Sequence, residues 1–258
     1  MEAIALPAAR VSLLRCYALE AKHEFLRLLR APSFALPTLL FPPMFYVLFA
    51  VLFNRGGGSG GFQANVYLLA TFGVFGVMTP GLFGFGVTVA LDRERGWLNL
   101  KRALPMPPGA YLFSKLAMAM LFAAIIFMIL ALLSTTLGGV RLPTSAWLSL
   151  FTVELLGVLP FCAIGLYLGS LFSGQAAPAV ANLVYLPMSF LSGLWMPLSV
   201  MPAFIAKIAP LWPAWHLGRL ALAAVGQVQD EALLPHVLAL GLVAVVFVVL
   251  ARRRLARG

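Results

Sequence analysis

Charge is what this chain is short of. Only 10% of its 258 residues are Asp, Glu, Lys or Arg, against roughly 25% in ordinary soluble domains. At the same time 62% are hydrophobic and the mean hydropathy is +0.99. A water-soluble fold has no use for that much apolar surface, whereas a bilayer requires it. Two cysteines, Cys16 and Cys162, are too few for a disulfide framework. The three histidines, His23, His216 and His236, are scattered along the sequence, so no metal cluster is expected. His23-Glu24 lacks a second histidine four residues on, which excludes the zinc-protease helix. None of the four lysines follows a glycine, so the G-x-x-x-x-G-K-[ST] phosphate loop is absent and with it nucleotide hydrolysis by that route. Ser192 and His216 can be forced into an intramembrane serine protease only against the wrong flanking pattern. The first thirty residues carry charges throughout and lack an apolar h-region, so no cleavable leader is expected.

What the chain does have is long apolar runs. They predict an all-α membrane protein with six transmembrane helices, at about 34–53, 66–91, 112–137, 147–172, 177–197 and 233–250. Residues 10–30 read as an amphipathic helix in the membrane interface, with Leu14, Tyr17, Ala21, Phe25 and Leu28 near one face. Between 198 and 218 the chain is too broken by Pro202, Pro210 and Pro213 for a span. It is too apolar for a solvated loop, so short helices at the outer interface are expected, with Trp212 and Trp215 at headgroup depth. The second run carries Gly73, Gly76, Gly81, Gly84 and Gly86 beside Pro80, which fits close helix packing or a hinge. With the N-terminus inside, 14 of the 18 basic residues fall on the inner side, so both termini are expected in the cytoplasm. The net charge of +10 is thereby explained without nucleic acid.

The densest internal charge lies after the second run. Asp92, Arg93, Glu94 and Arg95 precede Gly96, and then Trp97, Leu98, Leu100, Lys101, Arg102 and Leu104 run up to Pro105. Acids near the start and bases near the end suit a helix dipole, and the prolines stop the helix. Trp97, Leu100 or Lys101, and Leu104 align on one face. The stretch is either a docking knob for another protein or a positive-inside anchor with no partner. Glu154 is the acid within a span; it lies about two turns from the outer end. It serves either as a structural hydrogen bond or as a polar point on a path or at a dimer seam.

Two motifs, set in this topology, bring a family to mind. Asp92-Arg93-Glu94-Arg95-Gly96-Trp97-Leu98 is similar to the E-x-G-T-L coupling region of the ABC-2 type membrane subunits of ABC transporters. Phe190-Leu191-Ser192-Gly193, followed by Pro197-Leu198, Pro202 and Pro210, resembles their F-L-S-G…P-L…P segment. The chain departs from the pattern at Trp97, where threonine is common, and at Asn99 and Lys101-Arg102, which replace a more acidic continuation. The resemblance implies an exporter permease in the inner membrane, working as a single transmembrane domain. It would carry a cytoplasmic coupling helix between spans 2 and 3 and outer re-entrant or interfacial helices before span 6. It implies a non-catalytic chain that binds no cofactor itself, two copies of a partner ATPase holding ATP and Mg, and a second permease copy as a homodimer. Asp92, Glu94, Arg95, Gly96, Trp97, Leu98, Leu100 and Leu104 would couple to the ATPase. Pro80, Glu154, Phe190 and Ser192 would lie on the translocation path or dimer seam, along the second and fifth spans. The substrate class would be an amphipathic drug, a lipid or a glycan. The alternative is a stand-alone channel or ion-coupled carrier.

Overall fold

Ser12 starts the first helix. Its hydroxyl accepts a hydrogen bond from the Arg15 amide at 3.3 Å, satisfying one of the free donors at the N-terminus of α1 (Leu13–Leu29). The computed structural model describes residues 12–54, 64–103, 106–107, 109–228 and 231–255. After α1 come α2 (Pro32–Asn54) and a long composite helix made of α3 (Ala64–Thr79), a π-helical stretch (Pro80–Val87) and α4 (Thr88–Glu94). Then follow α5 (Trp97–Ala103), α6 (Ala110–Thr136), α7 (Thr144–Leu171) and α8 (Ala177–Leu191). The last part holds α9 (Ala203–Ile208) between two single 3-10 turns, then α10 (Pro213–Ala224) and α11 (Leu234–Leu255).

The composite helix is the axis of the bundle. Its most apolar window is 78% buried, against 17% for the same measure on α11 at the periphery. A helix that is hydrophobic all round has to be covered all round, and α2, α6, α7 and α10 cover α3. Pro80 has no N–H to give and disturbs the i→i−4 ladder where the π-helix begins. The Phe75 carbonyl, five residues before Pro80, accepts instead from the Tyr185 hydroxyl, and at the far end of the stretch Thr88 donates its hydroxyl to the Gly84 carbonyl at 2.6 Å. The π-helical stretch rides directly on the backbone of α7. A Cβ added to Gly86 would lie 2.7 Å from the Gly165 carbonyl oxygen, so only glycine permits this approach. The glycines of the second run therefore pack helices together, at the level of a local irregularity in the ladder.

The structure corrects the expected architecture of six spans. Among the described residues, five helices are long and apolar enough to cross a membrane: residues 32–50, 64–94, 110–136, 144–171 and 234–255. The expected span at 177–197 is instead α8, 15 residues long. At 1.5 Å per residue it measures about 22 Å, short of the roughly 30 Å hydrocarbon core. It stops because Gly193 takes φ +76°, a left-handed conformation that ends the helix. The ends of α8 are nevertheless fixed at opposite ends of the bundle. The Gly174 amide just before it donates to Glu94, and the Gly193 carbonyl just after it accepts from the Tyr67 hydroxyl. The polypeptide thus travels the bundle's length without a full-length span. The end of α11 returns beside α5: Leu255 lines a cavity of about 380 Å³ with Leu98, Lys101 and Tyr111.

No distinct coupling helix or re-entrant pair stands out among the described residues. The expected helix between the second and third spans is α5, only 7 residues, and Leu104 and Pro105 at its expected end lie outside the described residues. The stretch expected at the outer interface is also different. In α10 the residues Ala214, Leu217, Gly218, Ala221 and Leu222 are buried, and the helix packs against α3 and α7. The small residues at 214, 218 and 221 explain this: they let α10 enter the bundle where a bulkier face would stay outside.

Candidate functional site

The cytoplasmic end of the bundle is built around a buried charge network. Lys115, near the start of α6, is fully buried. Its ammonium sits 2.7 Å from Glu24 of α1, 2.9 Å from Asp92 of α4, and 2.8 Å from the Thr88 hydroxyl. Arg27 of α1 reaches the same two acids, at 2.7 Å to Glu24 and 3.1 Å to Asp92. Tyr111 donates its hydroxyl to Asp92 at 3.0 Å. Two acids and two bases cancel, and each buried charge has hydrogen-bonded partners, the condition under which such a cluster is tolerated. Burial alone would lower the proton affinity of Arg27, but Glu24 and Asp92 outweigh it and raise it, so this cation is held firmly. The network joins α1, α4 and α6.

The next residues extend the ties. Arg93 donates to the carbonyls of Ser170 and, at 2.8 Å, Phe172, at the end of α7. Glu94 accepts the Gly174 amide at 2.6 Å, in the turn before α8. Gly96 takes φ +71°, and this left-handed residue separates α4 from α5. Lys101 of α5 is ion-paired with Glu20 of α1 and stands over the Tyr111 ring, 5.0 Å from its centroid. The face proposed from sequence is therefore split. Lys101 and Leu98 turn inward, while Trp97 and Leu100 turn outward, 44% and 63% exposed. Glu94 and Arg95 are exposed beside them.

The proposed path residues are not brought together. Pro80 is buried at the start of the π-helix, Phe190 is exposed on α8, and Ser192 is buried just beyond it, its hydroxyl without a partner among the described residues. Glu154 is 1% exposed, and neither carboxylate oxygen has a partner among the described residues. It lies about 15 Å along α7 from the helix start, deeper than its sequence position suggested, because α7 begins at Thr144. The carboxyl packs onto the bare backbone of Gly73, where a Cβ would collide with it. The structural hydrogen bond considered for Glu154 is thus absent from the described residues.

On another face of α3 the structure places an aromatic cavity of about 420 Å³ between α2, α3 and α8. Phe75 and Tyr185 stack with centroids 4.9 Å apart, and Trp195 lies 4.9 Å from Phe45. Thr79 donates to the Tyr185 hydroxyl at 3.1 Å, and Tyr185 donates to the Phe75 carbonyl at 3.2 Å. Asn182 supplies a further polar group in the lining. Phe75 and Gly73 are two residues apart, about 200° around the helix, so this cavity and Glu154 fall on different sides of α3. Sequence reasoning missed Glu20, Glu24, Arg27, Lys115, Tyr185 and Trp195. Two signals were legible: Lys115 interrupts an apolar run, and Glu24 and Arg27 stand three apart on one helix.

Comparisons with known proteins bear on the family. A family model described as ABC-2 type transporter matches residues 17–224. A protein of Bacillus subtilis (strain 168) named as a transport permease, YvfS, is 27% identical over 196 residues, covering 76% of this chain and 79% of that one. The family match runs from α1 through α10, across four of the long apolar helices and the charge network, in a chain whose sequence has no phosphate-binding loop. The chain belongs to the ABC-2 type transporter family, as a multi-pass permease of the inner membrane that carries out no nucleotide chemistry of its own.

Proposed function

We propose that the chain is the membrane half of an ATP-driven exporter, moved by a separate ATPase that binds the outward face of α5 and the residues before it. The observation that carries this reading is the division of one short segment into two faces. Trp97 and Leu100 face outward at the cytoplasmic end, while Lys101 and Leu98 of the same helix are fixed inward. Exposed apolar side chains at headgroup level or beyond suit a protein groove, with Glu94 and Arg95 as polar rim. A push on this segment reaches α1 through Lys101 and Glu20, α6 through Asp92 and Lys115, and the α7–α8 turn through Arg93 and Glu94. ATP and Mg belong to the partner, which must grip α5 differently in its ATP-bound and ATP-free states to do work.

The aromatic cavity supports an amphipathic substrate: its size falls within the range of roughly 300–1,000 Å³ usual for small-molecule sites, and its few polar groups sit among rings. Its position between α2 and α8, at the side of the bundle, supports a path completed by a second copy of the chain, with the whole chain acting as one membrane domain. The test is co-expression with the ATPase encoded beside this gene, then purification and ATP turnover in lipid. Gly96→Arg and Trp97→Ala are expected to weaken association and turnover. If both leave association and turnover unchanged, the docking assignment is wrong, and transport in liposomes without any ATPase would favour a stand-alone channel or carrier.

A further inference from the structure

Two of the histidines that lie far apart in the sequence meet on the outer side. His216 of α10 and His236, in the first turn of α11, bring their Nδ1 atoms to 2.9 Å. The other ring nitrogens are also committed. His216 Nε2 lies 2.9 Å from the Pro210 carbonyl, and His236 Nε2 lies 3.1 Å from Glu231 Oε1. Glu231 is held by Arg219, whose Nε donates to it at 2.6 Å. The partners fix the protons. A carbonyl only accepts, so His216 Nε2 carries a proton. The Glu231 carboxylate only accepts, so His236 Nε2 carries one too. The short Nδ1–Nδ1 contact then needs one proton between the rings. Two rings with three protons hold one positive charge, opposite Glu231.

We propose that this pair is a proton-dependent clasp that ties α10 to α11 when the two rings share one extra proton. It stands apart from the ATPase reading and does not rest on it. Without the shared proton, two lone pairs face each other at 2.9 Å. With a further proton, two N–H groups point head to head. Either change opens the contact. Burial lowers the proton affinity of His216 despite its hydrogen bond to the Pro210 carbonyl, and the neighbouring His236 adds to the lowering. Glu231 is held below its ordinary range: burial would raise it, but the hydrogen bonds from Arg219 and His236 prevail, so the counter-charge persists through mild acid.

The surroundings add few competing groups. Among the described residues, Arg219 and Glu231 are the charged groups in contact with the cluster, and Trp215 packs its ring 5.1 Å from that of His236. Of the elements packed against α10 and α11, α3 presents Tyr67, bonded to Gly193, and α8 presents Tyr185, bonded to Phe75. The helix α7 presents Glu154, packed on Gly73, and farther along Tyr167, packed on Phe247. Lys207 and Arg141 are exposed, and Asp230 lies outside the described residues.

The sign follows from counting protons. Well above the ordinary histidine value of about 6.5, the opened rings hold two protons and the clasp three, so raising the pH opens it, by up to about tenfold per pH unit. Well below 6.5 the opened rings hold four, so further acid also opens it. The clasp is tightest near the middle, and its release loosens the tie between α10 and the first turn of α11, while α11 stays packed on α7.

The test is 15N NMR of the histidine imidazoles in the full chain in lipid nanodiscs, from pH 5 to 9. Exposed His23 at the opposite end serves as the internal reference. The expected result is a joint two-step titration of His216 and His236, one step on each side of the His23 midpoint. Amide hydrogen exchange in 213–219 should be slowest near the middle of the range. His236→Gln should leave His216 titrating in one step, and Glu231→Gln should draw the upper step down toward His23. Three independent single steps at one midpoint, or exchange in 213–219 that ignores pH, would overturn the clasp. If His236→Gln fails to fold, the wild-type titration and Glu231→Gln decide alone.

Discussion

Replacing Lys115 by methionine removes one cation from a buried cluster whose charges otherwise sum to zero. Glu24 and Asp92 would then share Arg27 alone, and one negative charge would remain uncompensated. Water cannot make up the difference, because Lys115 is fully buried and Glu24 and Asp92 are about 5% exposed. Breaking a buried pair from one side costs about 3–5 kcal/mol, or roughly 10² to 10⁴ in the ratio of folded to unfolded chain. Lys115 also accounts for one hydrogen bond to Thr88 and a cation–ring contact with Tyr111, 5.0 Å from its centroid, which methionine only partly replaces. The assay is reversible unfolding in mixed micelles, followed by tryptophan fluorescence. Adding Glu24→Gln to Lys115→Met restores neutrality, so the double variant should be more stable than Lys115→Met alone. A cost under about 1 kcal/mol for Lys115→Met, or no recovery in the double variant, would refute the view that charge balance holds α1, α4 and α6 together.

Other outcomes follow from single contacts. Gly165→Leu should abolish assembly of the bundle, since even a Cβ on Gly86 opposite meets the α7 backbone at 2.7 Å; normal yield and a normal size-exclusion profile would show that the close approach is dispensable. Glu154→Gln keeps the shape that fits against Gly73 and should leave abundance unchanged, while transport falls if the carboxyl acts on the path; equal loss of folded protein would assign Glu154 to structure. Trp195→Ala opens the aromatic cavity and should weaken binding of an amphipathic fluorescent probe about tenfold, as expected for loss of a ring contact worth about 0.5–1.5 kcal/mol with its buried area; unchanged binding would move the substrate elsewhere.

Much of the fold was legible because the apolar runs are long. The boundaries of α6, α7 and α11 lie within a few residues of those expected, since hydropathy over some twenty residues is a strong signal. The span after Ser173 was not, because its apolar composition continues through Trp195 and Met196 while the helix has already ended at a left-handed glycine. Hydropathy reads composition, and the turn at Gly193 is a matter of backbone geometry. The charged stretch was found by composition, but its two faces were not. Whether Leu100 or Lys101 turns inward depends on Glu20 and Tyr111, which are far away in sequence. The histidine pair was invisible for the same reason: twenty residues separate two rings that only the packing of α10 beside α11 brings together.

The outward face of α5 is proposed to meet a partner ATPase. The most direct test places a photoreactive phenylalanine at position 100 in the chain co-expressed with the neighbouring ATPase, in membranes, and identifies what it labels. An adduct with the ATPase is expected, its yield changing when ATP is added, while the same probe at exposed Leu242 of α11 gives no ATPase adduct. Labelling of lipid alone from position 100, with the ATPase present and active, would contradict it.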